Sequence, residues 1–440
     1  MATTARPITA GTALVDELRA WLDEQWDPDL SVGEWWDRLG MAGWAAPMLP
    51  VDAYGRGLSR ADAMVVAGAI ADHGALGAPE GMAISLASPT IAAHGTPEQI
   101  DRLIPPAVCG RIAFCQLFSE PGAGSDLAGL TTRAERDGET WHVNGQKVWT
   151  SGGQFADMGM LLARTNPEAP KHRGITWFAI DMHQPGIDVR PLREMTGSAL
   201  FNEVFITDAT VGDDNRIGDV GDGWKVANTT LFHERSGMAA RGEGVGAAAA
   251  RAGTVVGDLD KRAGDFVRPR RPRPAAGRPT TASSPAQPQI DLATTMGRLG
   301  DPTIRQRIAQ SHILGTVSRL NAERLKAVRA GGGDIPGAPN FGKLLTAQIL
   351  RHNRDLNFDI LGARGTLHAY GDSGRDGLAD APGGSGAAAA TAFGLMAQAL
   401  PIYGGTDQIQ RNIVGERALG LPKEPGDLAH LPFTQLPKNG

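Results

Sequence analysis

The apolar residues of this chain change their period twice, and that change constrains the fold more than any single motif. Over residues 1 to about 112 the spacing is helical, as in Leu14, Val15, Leu18, Trp21, Leu22 and Trp26. Ser31 with Glu34, Ser59 with Asp62, and the run Thr96-Pro97-Glu98-Gln99 have the form of helix starts, each a hydroxyl with an acid or amide three residues on. From about Ile112 the spacing becomes that of strands. Asp137-Gly138 and Asn144-Gly145 flank Thr140-Trp141-His142-Val143, and Asn-Gly between extended runs predicts a hairpin turn. Further β-prone runs cover Met158–Ala163, Ile175–Ile180, Ile187–Val189 and Glu203–Ile206, with Pro185-Gly186 as a turn. From Trp224 the helical period returns. An Arg/Pro-rich run, Arg268–Pro288, sustains neither helix nor strand, and Gly371–Gly386 is also irregular.

This order predicts an α+β protein in three parts. A helical domain spans 1–112, a β-barrel or sandwich domain 113–223, and a helical bundle 224–440 with an irregular insert at about 266–290. A chain of 440 residues exceeds what one core usually serves, which agrees with that division. Apolar residues make up 41% and the formal charge is −5, which argues against a partner that needs a strong positive field, such as nucleic acid or an anionic membrane. Only Cys109 and Cys115 are present, so neither a disulfide framework nor a metal cluster is expected. The first twenty residues lack the apolar core of a signal peptide, and no run is long enough to span a bilayer, so a cytoplasmic location is expected.

Four blocks carry chemistry. Phe114–Ser125 reads FCQLFSEPGAGS, in which Gly122, Ala123 and Gly124 let backbone amides approach a polar ligand. Val148-Trp149-Thr150-Ser151 follows, offering an indole to stack on a planar ring and hydroxyls to bond its edge. Asp222–Arg235 reads DGWKVANTTLFHER and ends on the pair Glu234-Arg235. Ile402–Leu421 reads IYGGTDQIQRNIVGERALGL.

Together these blocks resemble the acyl-CoA dehydrogenase family, flavoenzymes that desaturate acyl-CoA thioesters. The resemblance implies an N-terminal helical domain, a middle β domain and a C-terminal four-helix bundle around FAD. It assigns Gln116, Leu117, Ser119, Trp149, Thr150, Ser151, Thr406 and Gln408 to FAD, and Ser125, Arg235, Gly404 and Gly405 to the substrate. Many members read Tyr-Glu-Gly-Thr in the last block, where the Glu removes the substrate's α-proton. This chain has Gly404 there. In some members the base comes from the helix that carries the Glu-Arg pair, so the resemblance makes Glu234 the replacement base, with hydride passing to the flavin and a trans-2-enoyl-CoA as product. A base in this role needs partial desolvation. The resemblance further implies an electron-transfer flavoprotein as acceptor and a homo- or hetero-tetramer, or a dimer. Gly404 also removes bulk, from which a broad or branched acyl group is expected.

The chain departs from the family in two places. It lacks the Arg-Lys-x-Phe-Gly run that reaches a neighbour's FAD, leaving Arg305 and Arg307 as substitutes, and Leu361-Gly362-Ala363 matches the adenine-side glycine pair loosely. Three other readings remain open: a non-catalytic or partner-dependent subunit, an acyl-CoA oxidase, and a DNA-associated relative supported only by Arg268, Arg270, Arg271, Arg273 and Arg278.

Overall fold

The computed structural model describes residues 10–238, 250–267, 284–370, 377–378, 384–422, 428 and 430–437, with side chains except those of 10–12, 235–238, 330 and 384–385. The Arg/Pro-rich run from 268 to 283 and most of the 371–386 stretch lie outside the described residues. The chain forms two compact units, one of residues 1–192, 200–273 and 428–440, the other of 193–199 and 274–427.

The first unit begins with helices α1 (Ala10–Gln25), α2 (Val32–Met41), α3 (Arg60–His73), α4 (Ser88–His94) and α5 (Pro97–Val108). The local signals behave as the sequence predicts. Ser31 with Glu34 and Thr96 with Gln99 form reciprocal capping boxes at α2 and α5, and the Ser59 hydroxyl accepts from the Asp62 amide at α3. Leu18, Leu22, Trp35, Trp36, Leu39, Ile91 and Ile104 form the core of this part, where the Trp35 indole N–H donates to the Leu76 carbonyl at 2.7 Å.

Eight strands follow, β1 (Phe114–Leu117), β2 (Arg133–Asp137), β3 (Thr140–Lys147), β4 (Met158–Arg164), β5 (Ile175–Asp181), β6 (Ile187–Leu192), β7 (Phe201–Gly212) and β8 (Arg216–Ile217). They lie in the order β6-β7-β3-β2-β4-β5-β8, and β1 pairs in parallel with β4. Cys115, Leu117, Trp141, Val143, Leu161, Phe178 and Val204 pack on one face of this sheet. Both cysteines are free and buried. The Asp137-Gly138 turn joins β2 to β3 as a hairpin.

Asn144-Gly145 is not a turn. It lies inside β3 as a bulge, where the register against β7 shifts between Val143 and Gly145. The Asn144 side chain accepts from the amide of Asp208, itself left-handed at φ 50°. A Cβ on Gly145 would stand 2.7 Å from the Thr132 Cα, so glycine is required by close approach rather than by turn geometry.

Helix α6 (Gly223–Met238) follows the sheet within the first unit. It buries Val226, Ala227 and Thr230, and the Thr230 hydroxyl bonds that of Thr90 on α4 at 3.0 Å. The second unit contains α7 (Gln287–Thr295), α8 (Pro302–Ala330), α9 (Ala338–Leu361), α10 (Gly384–Met396) and α11 (Asp407–Ile413). Helix α7 takes up Gln287 and Pro288, the last two residues of the Arg/Pro-rich run, because proline is tolerated in a first turn. Helix α9 is the hub of this unit, with α7, α8, α10 and α11 packed on it over Leu292, Ile304, Ile308, Leu356 and Ile360. Among the described residues no helix is long and apolar enough to cross a membrane.

Candidate active site

The first and second blocks meet at the end of β1. The Val148 amide donates to the Ser119 carbonyl at 2.9 Å, and the Lys147 ammonium donates to the Phe118 carbonyl at 3.1 Å. Alternation along β1 sends Cys115 and Leu117 into the sheet core and leaves Gln116 half-buried on the opposite face. With its side chain fully buried, Leu117 has only main-chain atoms to offer a ligand. Ser119 is half-buried and Ser125 exposed. Between them Glu120 and Ala123 exchange backbone hydrogen bonds at 3.1 and 3.0 Å, which folds Pro121 and Gly122 into a tight turn.

Two residues absent from the sequence reading hold this loop. Glu120 is 5% exposed and accepts from Lys147 at 2.9 Å, from the Thr131 amide at 2.7 Å and from the Thr132 amide at 2.9 Å. Burial alone would raise its carboxyl, but the Lys147 charge with hydrogen bonds from Thr132 and Thr131 outweighs that and holds it at about 2. Lys147 is itself fully buried, and burial lowers its ammonium against the pull of Glu120.

Trp149 is 55% exposed and left-handed at φ 61°, an uncommon state for a residue with a Cβ. Its ring meets Phe201 edge-on at 5.8 Å. Thr150 is fully buried, exchanges backbone bonds with Asn202 at 3.1 and 3.0 Å, and has a hydroxyl with no partner. Ser151 is half-buried. An indole displayed at a conformational cost, an orphaned hydroxyl beside it and nearby serine and glutamine donors fit a planar heterocycle with a polar edge, as in the isoalloxazine of FAD.

Glu234 reaches this place from α6. It follows Thr230 by four residues, so the packing of Thr230 on α4 fixes the face on which Glu234 emerges. Its carboxylate accepts from the Gln116 amide at 3.3 Å. The third block thus meets the first through side chains separated by more than a hundred positions. Arg235 lies in the same helix, and its side chain is outside the described residues.

In the second unit the fourth block forms a left-handed turn, with Gly404 at φ 63° and Gly405 at φ 81°. Lys343 donates to the Gly405 carbonyl at 2.7 Å, and Gln410 donates to the Gly404 carbonyl at 3.0 Å. The Thr406 hydroxyl caps α11, accepting from the Ile409 amide at 3.2 Å. Asp407 is buried and accepts from Arg351 at 2.7 Å, while Gln408 is exposed. Arg307 pairs with Asp359. Among the described residues no group of three His, Cys, Asp or Glu side chains is placed to hold a metal ion.

Comparison with known proteins agrees with this layout. Three family models match in succession: the N-terminal domain of acyl-CoA dehydrogenases at residues 10–111, the middle domain at 115–209 and the C-terminal domain at 290–419. The chain is 33% identical to the acyl-CoA dehydrogenase IpdE1 of Mycobacterium tuberculosis, over 89% of this chain and 88% of that protein. It is 36% identical to the acyl-CoA dehydrogenase FadE34 of the same organism over 88% of this chain, but spans only 46% of that longer relative. Among solved structures, the ChsE4-ChsE5 complex from Mycobacterium tuberculosis matches with a TM-score of 0.61 and 26% identity, over 96% of this chain and 100% of that one. The Tcur3481-Tcur3483 steroid ACAD matches with a TM-score of 0.64 and 25% identity, over 95% and 99%.

Proposed function

The chain belongs to the acyl-CoA dehydrogenase family, and from that premise we propose that it carries out the FAD-dependent α,β-dehydrogenation of an acyl-CoA thioester with Glu234 as base. The observation that carries the proposal is the hydrogen bond from Gln116 to the Glu234 carboxylate, since it sets the candidate base of the third block against the block assigned to the cofactor. Trp149, Ser151, Ser119 and Gln116 would hold the isoalloxazine, with the buried Thr150 hydroxyl behind them, and Thr406 and Gln408 would serve the rest of FAD. When bound, FAD supplies an acceptor for the hydrogen and electron pair leaving the β-carbon. Glu234 takes the proton from the α-carbon, giving the trans-2-enoyl thioester. Gln116 orients the carboxylate, and Trp149 keeps water from the reacting face. The Gly404 amide bonds the thioester carbonyl and stabilises the enolate-like charge that develops there, while Ser125, Arg235 and Gly405 bind the substrate.

Gly404 leaves space where a carboxylate would otherwise project, and one structural relative is named a steroid ACAD. Both support a bulky, ring-bearing acyl group. A panel of acyl-CoAs in which only short linear chains turned over would refute that substrate class.

Glu234→Gln is expected to retain the flavin spectrum while turnover falls by ~10²–10⁴-fold, the usual worth of a positioned base. Bleaching of the flavin by substrate at the wild-type rate would remove Glu234 from the role.

A second reading has its own support. Two of the structural relatives carry the names of two-chain assemblies, ChsE4-ChsE5 and Tcur3481-Tcur3483, so a partner-dependent subunit is the alternative. Turnover by the purified chain alone separates the two.

A further inference from the structure

The segment that follows the glycine-rich loop is suspended between two buried charges of opposite sign. Glu120 accepts from the amides of Thr131 and Thr132 at 2.7 and 2.9 Å. Arg164, at the end of β4, donates to carbonyls of the same segment, at 2.7 Å to Ala128 and 3.1 Å to Leu130. Its remaining contact is the Lys171 carbonyl at 3.1 Å, and Lys171 in turn donates to Asp126 at 2.7 Å. Asp126 directly follows Ser125. Every hydrogen bond of the Arg164 side chain therefore bears on the placement of residues 126–130 or on the loop that grips Asp126.

Arg164 is 4% exposed, and no carboxylate is among its hydrogen-bond partners. Burial pushes the guanidinium down to about 10, opposed by the fields of Glu120 and Asp126. Such a group is sensitive to whatever covers it, because low dielectric magnifies each remaining interaction. The cover comes from the far end of the chain. The half-buried Phe433 ring has its centroid 3.5 Å from the Arg164 guanidinium carbon, a cation–π contact. The C-terminal segment reaches this position along the β4–β5 connection. Phe433 donates its amide to the Ala169 carbonyl at 3.0 Å, Thr434 donates to Pro167 at 3.2 Å, and Pro432 bridges to Pro170. Residues 428–440 accordingly belong to the first unit, although the preceding helices belong to the second.

We propose that the C-terminal segment is a positioning element for substrate binding, in which the Phe433 ring covers Arg164 and so fixes the loop that carries Ser125 and Asp126. Arg164 and Phe433 are positioning residues, touching no reacting atom. The substrate half of this inference rests on Ser125 being a contact of the acyl-CoA, as proposed above.

Hydrogen–deuterium exchange on the full-length chain tests it, with Phe433→Ala and Phe433→Tyr as the variants. In Phe433→Ala, amides over residues 127–132 are expected to exchange about tenfold faster, while those of α2 and α5 are unchanged, and Phe433→Tyr is expected to restore protection. The KM for acyl-CoA should rise about tenfold in Phe433→Ala with kcat within about twofold of wild type. Unchanged exchange over 127–132 in folded Phe433→Ala overturns the strap. Faster exchange with an unchanged KM overturns its link to substrate. If the wild-type chain neither binds nor oxidises any acyl-CoA, the parent reading fails, and the exchange result still decides whether the strap holds the loop.

Discussion

The Lys147 ammonium stands 2.9 Å from the Glu120 carboxylate, with 0% and 5% of their side chains exposed. This pair joins the strand leading to Trp149 with the turn leading to Ser125, and so sets the spacing of the two most distinctive motifs in the chain. Truncating one partner leaves a buried charge. Lys147→Met is therefore expected to destabilise the first unit by ~3–5 kcal/mol, and the double change Glu120→Gln with Lys147→Met by less than the sum of the singles. Urea unfolding midpoints of the three variants measure this.

The same pair predicts how stability depends on pH. The Glu120 carboxyl is held at about 2, below its ordinary 4.5. A lowered carboxyl stabilises the fold fully above its unfolded value and loses that contribution as pH falls toward its folded value. Wild type should lose thermal stability between about pH 4.5 and about pH 2, and Glu120→Gln should show a flatter profile across that window. Parallel profiles would contradict the assignment.

Gly145→Ala tests the bulge. The new methyl meets the Thr132 hydroxyl and lies 2.7 Å from its Cα, so backbone must move, at a cost of ~1–3 kcal/mol. Since Thr132 also donates its amide to Glu120, the change should additionally weaken flavin retention. Thermal scans and flavin absorbance on the purified variant measure both.

Trp149→Ala should lower affinity for FAD about tenfold, while Trp149→Phe retains most of it, because the ring supplies the stacking face. Flavin fluorescence titration of the apoprotein gives the comparison. Equal affinities across the three proteins would show that the exposed indole serves something else.

What was legible in the sequence divides along physical lines. Ser31 with Glu34 and Thr96 with Gln99 were readable because a capping box closes within one helical turn. The β-prone runs became β4, β5, β6 and β7 for a similar reason, a short apolar run bounded by turns being a local signal. Asn144-Gly145 misled because the same dipeptide serves a hairpin or a bulge, and the choice lies with Thr132 and Asp208. Glu120 with Lys147, and Arg164 with Phe433, were not readable. Their partners are brought together by the sheet and by the returning chain end, and neither leaves a periodic trace. Glu234 is singled out by its motif, whereas its contact with Gln116 depends on how α6 rotates against α4.

The left-handed turn at Gly404 and Gly405 limits what position 404 can carry. Any L-residue placed at position 404 must adopt φ near 63°, at ~1–2 kcal/mol, and the adjoining glycine is hemmed in by Gln410. A side chain at position 404 therefore works against the turn that Gln410 and Lys343 hold through the Gly404 and Gly405 carbonyls.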